Sequence, residues 1–198
     1  MLPLDLAIFQ TLNAGLDTPA GVVTLARWVS QVGPAAIGAL IAASLVGKQH
    51  RGPPWRTLIV CLMALLLTWC AVRGIRDWFP VSRPAQLGLG FQWIKQGARP
   101  GFPSMHAATS FALAQGLLLC SQRALGWTAW LVAGAVAWSR VCLGVHFPSD
   151  VLAGLLVGTA IASLVALAAR AGGAAAVSWR GRFSAYWSHP ARPWAPRM

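Results

Sequence analysis

Glutamate is missing from this chain altogether, and the only acids are Asp5, Asp17, Asp77 and Asp150. Catalysis by a pair of divalent metals needs several carboxylates around the ions. A two-metal site is therefore not expected, nor is any other metal or cofactor. Charge of either sign is scarce as well. Only 10% of the 198 residues are charged, against roughly 25% in a soluble domain. So little charge cannot cover a water-facing surface, which excludes an ordinary soluble domain. The four cysteines, Cys61, Cys70, Cys120 and Cys142, show no metal-ligand spacing and fall in apolar runs. They read as small buried hydrophobes. The start of the chain lacks a basic segment, and Asp5 interrupts its apolar stretch. A cleavable signal peptide is not expected there.

What is present is apolar. Hydrophobic residues make up 57% of the chain, and they come in long uncharged runs. Arg27 to Lys48 encloses 20 such residues, Arg56 to Arg73 encloses 16, and Arg99 to Arg123 encloses 23. Arg123 to Arg140 encloses 16, and Asp150 to Arg170 encloses 19. A membrane-crossing helix needs about 17–25 mostly apolar residues. The runs predict spans over 30–47, 56–75, 104–121, 125–142 and 148–169. Residues 3–14 carry Leu4, Ile8, Phe9 and Leu12 at helical spacing. They predict an interfacial amphipathic helix, with a sixth, bent crossing as the alternative. The expected fold is an all-α integral membrane protein, a bundle of five to six transmembrane helices plus that N-terminal amphipathic helix. Residues 1–170 form the membrane-embedded domain. Residues 171–198 form a basic, aromatic tail with Trp179, Tyr186, Trp187 and Trp194, read as a membrane-surface segment or as disorder.

The formal net charge of +12 raises nucleic acid as a partner. The excess reflects missing acids, and the bases are spread over loops between apolar runs. Topology signals and lipid headgroup contacts explain most of them, so no nucleic acid is expected. Alternating spans place Lys48, Arg51, Arg56, Arg123, Arg170 and the tail arginines on one side, which the positive-inside rule assigns to the cytoplasm. His50 and His189 read as surface residues, and Arg73 as a snorkelling one. Lys95 and Arg99 read as solvated loop, with contact to a phosphorylated substrate as the alternative. Most of the eleven tryptophans read as interface anchors, with Trp78 and Trp93 as candidates to line a substrate entrance.

Three polar segments fall on the opposite membrane side. They are Arg76-(six residues)-Arg83-Pro84, then Pro103-Ser104-Met105-His106, then Ser139-Arg140-(five residues)-His146-(three residues)-Asp150. Arg76, Arg83 and Arg140 would repel one another near a low-dielectric region, and two nearby aspartates cannot neutralise all three. An anion would, and guanidinium groups match phosphate oxygens in bidentate geometry. Ser104, just before a span, adds a hydroxyl and free backbone N–H groups. The pattern reads as a phosphate cradle. His146 and Asp150, four apart, can pair so that one imidazole nitrogen is oriented and the other is free to attack. His146 is then the nucleophile that forms a phosphohistidine. Protonated His106 serves the leaving alkoxide and then acts as base toward water.

These segments resemble the three signature motifs of the type 2 phosphatidic acid phosphatase superfamily, the membrane lipid phosphate phosphatases. The third motif matches in full. In the first, Arg76 stands where the family has lysine, and in the second Met105 stands where it has glycine. The resemblance covers roughly residues 70–155. It implies His146 as nucleophile with Asp150 as its partner and His106 as general acid. It implies Arg83, Arg140 and Ser104 as phosphate ligands, with Arg76 keeping the lysine's charge and Met105 offering its backbone N–H. It also implies a phosphorylated membrane lipid as substrate, undecaprenyl diphosphate first among them. Phosphatidylglycerophosphate, phosphatidic acid, transfer to a second lipid such as lipid A, or an inactive lipid binder are the alternatives.

Overall fold

The computed structural model describes residues 3–46, 53–97 and 99–188, with side chains through residue 172. His50, His189, Lys48, Arg51 and Trp194 lie outside the described residues, as do the side chains of Trp179, Tyr186 and Trp187. Residues 1–166 form one compact unit and residues 167–198 a second. The elements in order are α1 (Pro3–Leu12), α2 (Ala20–Val46), α3 (Pro54–Trp78), a 3-10 turn (Pro84–Leu87), α4 (Met105–Cys120), α5 (Arg123–Cys142) and α6 (Pro148–Ser188).

Helices α2, α3 and the Pro148–Gly172 part of α6 are long and apolar enough to cross a membrane. Helix α4, with 16 residues, extends about 24 Å, short of the roughly 30 Å hydrocarbon core. The 20 residues of α5 reach about 30 Å. Helix α1 has 10 residues and spans only about 15 Å, which excludes a crossing by this element alone. Helix α2 starts ten residues before the run expected at 30–47. Arg27 marks the end of an uncharged run in sequence, yet it sits inside the helix with its guanidinium hydrogen-bonded to the Trp93 carbonyl. Helix α6 runs on through Gly172 and Gly173 to Ser188. The start of the tail, expected at residue 171, thus falls within one helix.

The bundle is apolar outside and small inside. Leu58, Leu62 and Leu66 on α3 and Leu152, Leu156 and Leu164 on α6 are exposed. The central cluster joins Ile37, Cys61, Phe111 and Leu117 to five alanines. Lipid solvates leucine as well as a neighbouring helix does, so such helices gain stability by close backbone approach over small residues. Helix α4 packs against α3 and α5, and α2 packs against α5. On α6, Gly154 and Gly158 meet α4. A Cβ on Gly154 would lie 2.8 Å from the Ser104 carbonyl oxygen, and one on Gly158 would collide with the Ala108 carbonyl. This close approach sets the Ser104 end of α4 beside the start of α6, where the Ser104 N–H donates to the Asp150 carbonyl at 2.9 Å.

A β-branched residue at Gly158 would push the two helices apart. Gly158→Val is expected to cost about 1–3 kcal/mol or more. Thermal unfolding in detergent should show the lowered midpoint. Gly134→Val, whose Cβ would meet nothing within 4 Å, should leave it close to wild type.

Candidate active site

The third motif is built by the turn from α5 into α6. Backbone bonds from Leu143 to Ser139, Gly144 to Val141 and Val145 to Arg140 close the end of α5. Gly144 takes a φ of 70°, a region that glycine enters without steric cost. A Cβ there would also strike the Phe91 carbonyl. The turn delivers His146, 1% exposed, just ahead of Pro148 at the first position of α6.

His146 is held from both sides. Its Nδ1 lies 3.1 Å from Asp150 Oδ2, and its Nε2 lies 3.2 Å from Arg83 Nη1. Guanidinium has only donors, so Nε2 carries the lone pair and Nδ1 carries the proton given to Asp150. The same Oδ2 accepts the Phe147 N–H at 3.0 Å, which fixes the carboxylate. Burial pushes the His146 imidazole well below its ordinary value, and Arg83, Arg140 and Arg76 push in the same direction. The ring is neutral at neutral pH. A neutral imidazole with an oriented Nδ1–H and a lone pair at Nε2 is chemically able to attack phosphorus.

Arg83 is 6% exposed and grips the loop around it. It donates from Nε to the Arg99 carbonyl at 2.9 Å and from Nη1 to the Val145 carbonyl at 2.9 Å. Burial lowers its pKa and Asp150 opposes that shift. Arg76, at the end of α3, donates from Nε and Nη2 to the Pro103 carbonyl at 3.1 and 2.7 Å. A lysine could not make this two-pronged grip. Arg76 therefore steadies the residue before Ser104 while the rest of its guanidinium stays at the cavity wall. Ser104 is fully buried, and its hydroxyl has no hydrogen-bond partner among the described residues. A cavity of about 420 Å³ is lined by Arg76, Arg83, Arg99, Met105, His106 and His146. One chamber thus gathers both histidines and two of the three motif arginines.

Arg140 lies apart from that wall. It is 2% exposed and donates from Nη1 to Ser30 Oγ on α2 at 2.6 Å, while its Nε and Nη2 have no partner among the described residues. It lines an adjoining cavity that shares His106 and Gln96 with the first.

Asp5 and Asn13 contribute to the site without a signal in the sequence. Asp5 on α1 accepts the Ser149 N–H at 2.8 Å and the Ser149 hydroxyl at 2.6 Å. It caps α6 from another helix, next to Asp150, in the manner of an N-cap carboxylate. Asn13 bonds the carbonyls of Phe91 and Cys142 and the Phe91 N–H, tying the end of α1 to the long loop and to α5. Trp93 is a structural anchor. Its indole N–H donates to the Ala14 carbonyl, its backbone N–H to the Leu143 carbonyl, and Arg27 stacks over its ring. Arg99 and Lys95, read as solvated loop, stand on cavity walls, because the loop folds back over the helix ends. Their only signal in sequence was a basic residue in a long Pro- and Gly-rich loop.

Known proteins share this sequence and shape. A protein of Escherichia coli (strain K12) named as a candidate undecaprenyl-diphosphatase, YbjG, is 30% identical over 159 residues, covering 78% of this chain and 77% of the relative. The decaprenylphosphoryl-5-phosphoribose phosphatase of Mycobacterium tuberculosis (strain H37Rv) is 29% identical over 163 residues, covering 81% and 88%. The crystal structure of Aquifex aeolicus LpxE superposes with a TM-score of 0.70 at 21% identity, covering 83% of this chain and 95% of that one. Residues 55–172 match the PAP2 superfamily, and all three motifs lie within them. The chain belongs to the PAP2 superfamily, as a membrane hydrolase of lipid phosphate esters.

Proposed function

We propose that this protein removes the terminal phosphate of undecaprenyl diphosphate by way of a phosphohistidine on His146. The observation that carries the chemistry is the bracketing of His146 by Asp150 at Nδ1 and Arg83 at Nε2, in a chamber shared with His106. The Nε2 lone pair forms the N–P bond as the bridging P–O bond breaks. His106 gives its proton to the departing oxygen. Water then attacks phosphorus, His106 takes the water's proton, and the N–P bond breaks to release inorganic phosphate. Arg76 and Arg83 bind the phosphoryl oxygens, as do the Ser104 hydroxyl and the free N–H groups of Met105 and its successors at the start of α4, while Arg140 binds phosphate oxygens from the adjoining cavity. Asp150 positions His146 without touching substrate. No metal or cofactor takes part.

The choice of lipid rests on two broadly matching relatives, both named for polyprenyl-linked substrates. That is an argument from kinship. The positive-inside count supports a plasma-membrane protein with the site facing the periplasm and the tail, from residue 171, in the cytoplasm.

A lipid panel in detergent with EDTA tests the reading. Wild type should release phosphate from undecaprenyl diphosphate faster than from phosphatidic acid or phosphatidylglycerophosphate. Release that begins only when lipid A is added as acceptor would replace hydrolysis with transfer. No release from any lipid would overturn the catalytic reading.

A further inference from the structure

Beside the chamber of His146 lies a second cavity of about 530 Å³, between α2, α5 and the loop that crosses them. Its cations are Arg27, Lys95 and Arg140, with Gln31 and Gln96 as neutral polar neighbours, and among the described residues no carboxylate lines it. Three positive charges around one space, without an acid, repel one another and favour an anion among them. A second observation points the same way. Arg140 is 2% exposed, and two of its nitrogens have no partner among the described residues. Buried donors left unpaired carry a full desolvation cost, which an anion's oxygens would relieve. Pro34 also lines this cavity and supplies no backbone N–H to the Ser30 carbonyl one turn earlier, close to the Arg140–Ser30 bond.

The position of His106 gives the cavity its meaning. His106 lines both chambers, whereas His146 lines only the first. A group that attacks from His146 expels its leaving group on the far side of phosphorus, toward the acid that protonates it. With His106 as that acid, the leaving group enters the second cavity. A glycerol-based leaving group has no use for three cations there, and a phosphate has. Another basic cavity, at Arg73, Arg76 and Arg99, is lined also by Asp77 and touches neither His106 nor His146.

We infer that the cavity of Arg27, Lys95 and Arg140 is a second anion subsite, which holds the non-transferred phosphate of a lipid diphosphate and selects diphosphates over monoesters. This rests on the proposed catalytic roles of His146 and His106. Arg27 and Lys95 lie outside all three motifs, so the selectivity would be a property of this chain's α2 and loop.

Binding and turnover separate the two ideas. Inorganic pyrophosphate and inorganic phosphate are each titrated calorimetrically, with EDTA, into the His146→Ala protein in detergent, where turnover cannot interfere. His146→Gln serves if the alanine variant does not fold. Pyrophosphate should bind about tenfold or more tightly than phosphate, the worth of one further charge-assisted contact. Adding Lys95→Gln or Arg27→Gln should shrink that ratio about tenfold, and Arg27→Lys should restore part of it. In the otherwise wild-type enzyme, Lys95→Gln should lower kcat/KM for farnesyl diphosphate about tenfold more than for farnesyl monophosphate. Equal affinities for the two anions, a ratio unmoved by both glutamine variants, or equal losses on both lipids would overturn the subsite. A pyrophosphate preference that depends on Lys95, in a wild-type protein that releases no phosphate from any lipid, would keep the subsite and sink the catalytic reading.

Discussion

His146→Ala is expected to lower phosphate release from its lipid substrate by at least about 10⁴-fold, to the level that the surrounding cations sustain alone. The magnitude follows from the role. A nucleophile that forms the only covalent intermediate has no understudy. His106 lines the same chamber, but its task is proton transfer to the departing oxygen, and the Asp150 carboxylate orients Nδ1 of His146. Removal of the ring also leaves Arg83 Nη1 without its 3.2 Å partner in a buried place, so some loss of stability will accompany the loss of activity. His146→Gln retains size and a polar atom near Arg83. It should melt closer to wild type and be as inactive as the alanine variant. Wild-type protein quenched during turnover should carry an acid-labile, alkali-stable phosphoryl group, and neither variant should. A His146→Ala enzyme that releases phosphate at the wild-type rate would end the phosphohistidine reading.

The same geometry sets the sign of the pH dependence. Burial and three neighbouring guanidiniums favour the neutral imidazole of His146. A free histidine loses its lone pair below pH about 6.5, and this one keeps it to lower pH. The acid limb of kcat/KM that belongs to His146 should therefore lie below that value.

How far the sequence foretold this site can be traced residue by residue. His146, Arg140 and Asp150 are neighbours in sequence, and one turn between two helices brings the first and last into contact. Local spacing of that kind is legible. Arg83 and His106 were placed on the same membrane side by counting spans, a coarse argument that lipid makes possible because a crossing has a known length. The residues that escaped act at a distance. Asp5 meets Ser149 across 144 positions, and Ser30 meets Arg140 across 110. No periodicity announces such a pair. A buried aspartate on a short helix and a serine on an apolar one each look ordinary until the partner is known. Arg76 shows the same limit from another side. Its charge was readable as a lysine's substitute, while its two-pronged hold on the Pro103 carbonyl required the loop's path. Helix α2 starts ahead of the expected span because Arg27, a charged residue that reads as a boundary, finds its partner in Trp93 without leaving the helix.

Asp150→Asn should reduce kcat by about 10³–10⁴-fold, close to the cost of a lost tautomer in other imidazole–carboxylate pairs, with a much smaller change in KM. In the wild-type protein one oxygen, Oδ2, accepts from both Phe147 N–H and His146 Nδ1–H. An asparagine can keep its oxygen on the Phe147 N–H and turn its NH₂ group toward Nδ1. That group donates, so it stabilises the tautomer with the proton on Nε2. The lone pair would then point at a donor behind the ring, and the nitrogen facing phosphorus would have none to give. Arg83, a donor only, would meet an N–H at 3.2 Å and be pushed from its place beside Val145. A purely structural role for Asp150 predicts something else, a loss of folded protein with normal turnover in what remains. The two are separated by kcat per folded molecule, by the yield of trapped phosphoenzyme, and by Asp150→Glu, whose carboxylate should restore part of the rate because it restores the acceptor. An Asp150→Asn enzyme with wild-type kcat would show that His146 is oriented by something other than this carboxylate, and Arg83 would be the first group to suspect.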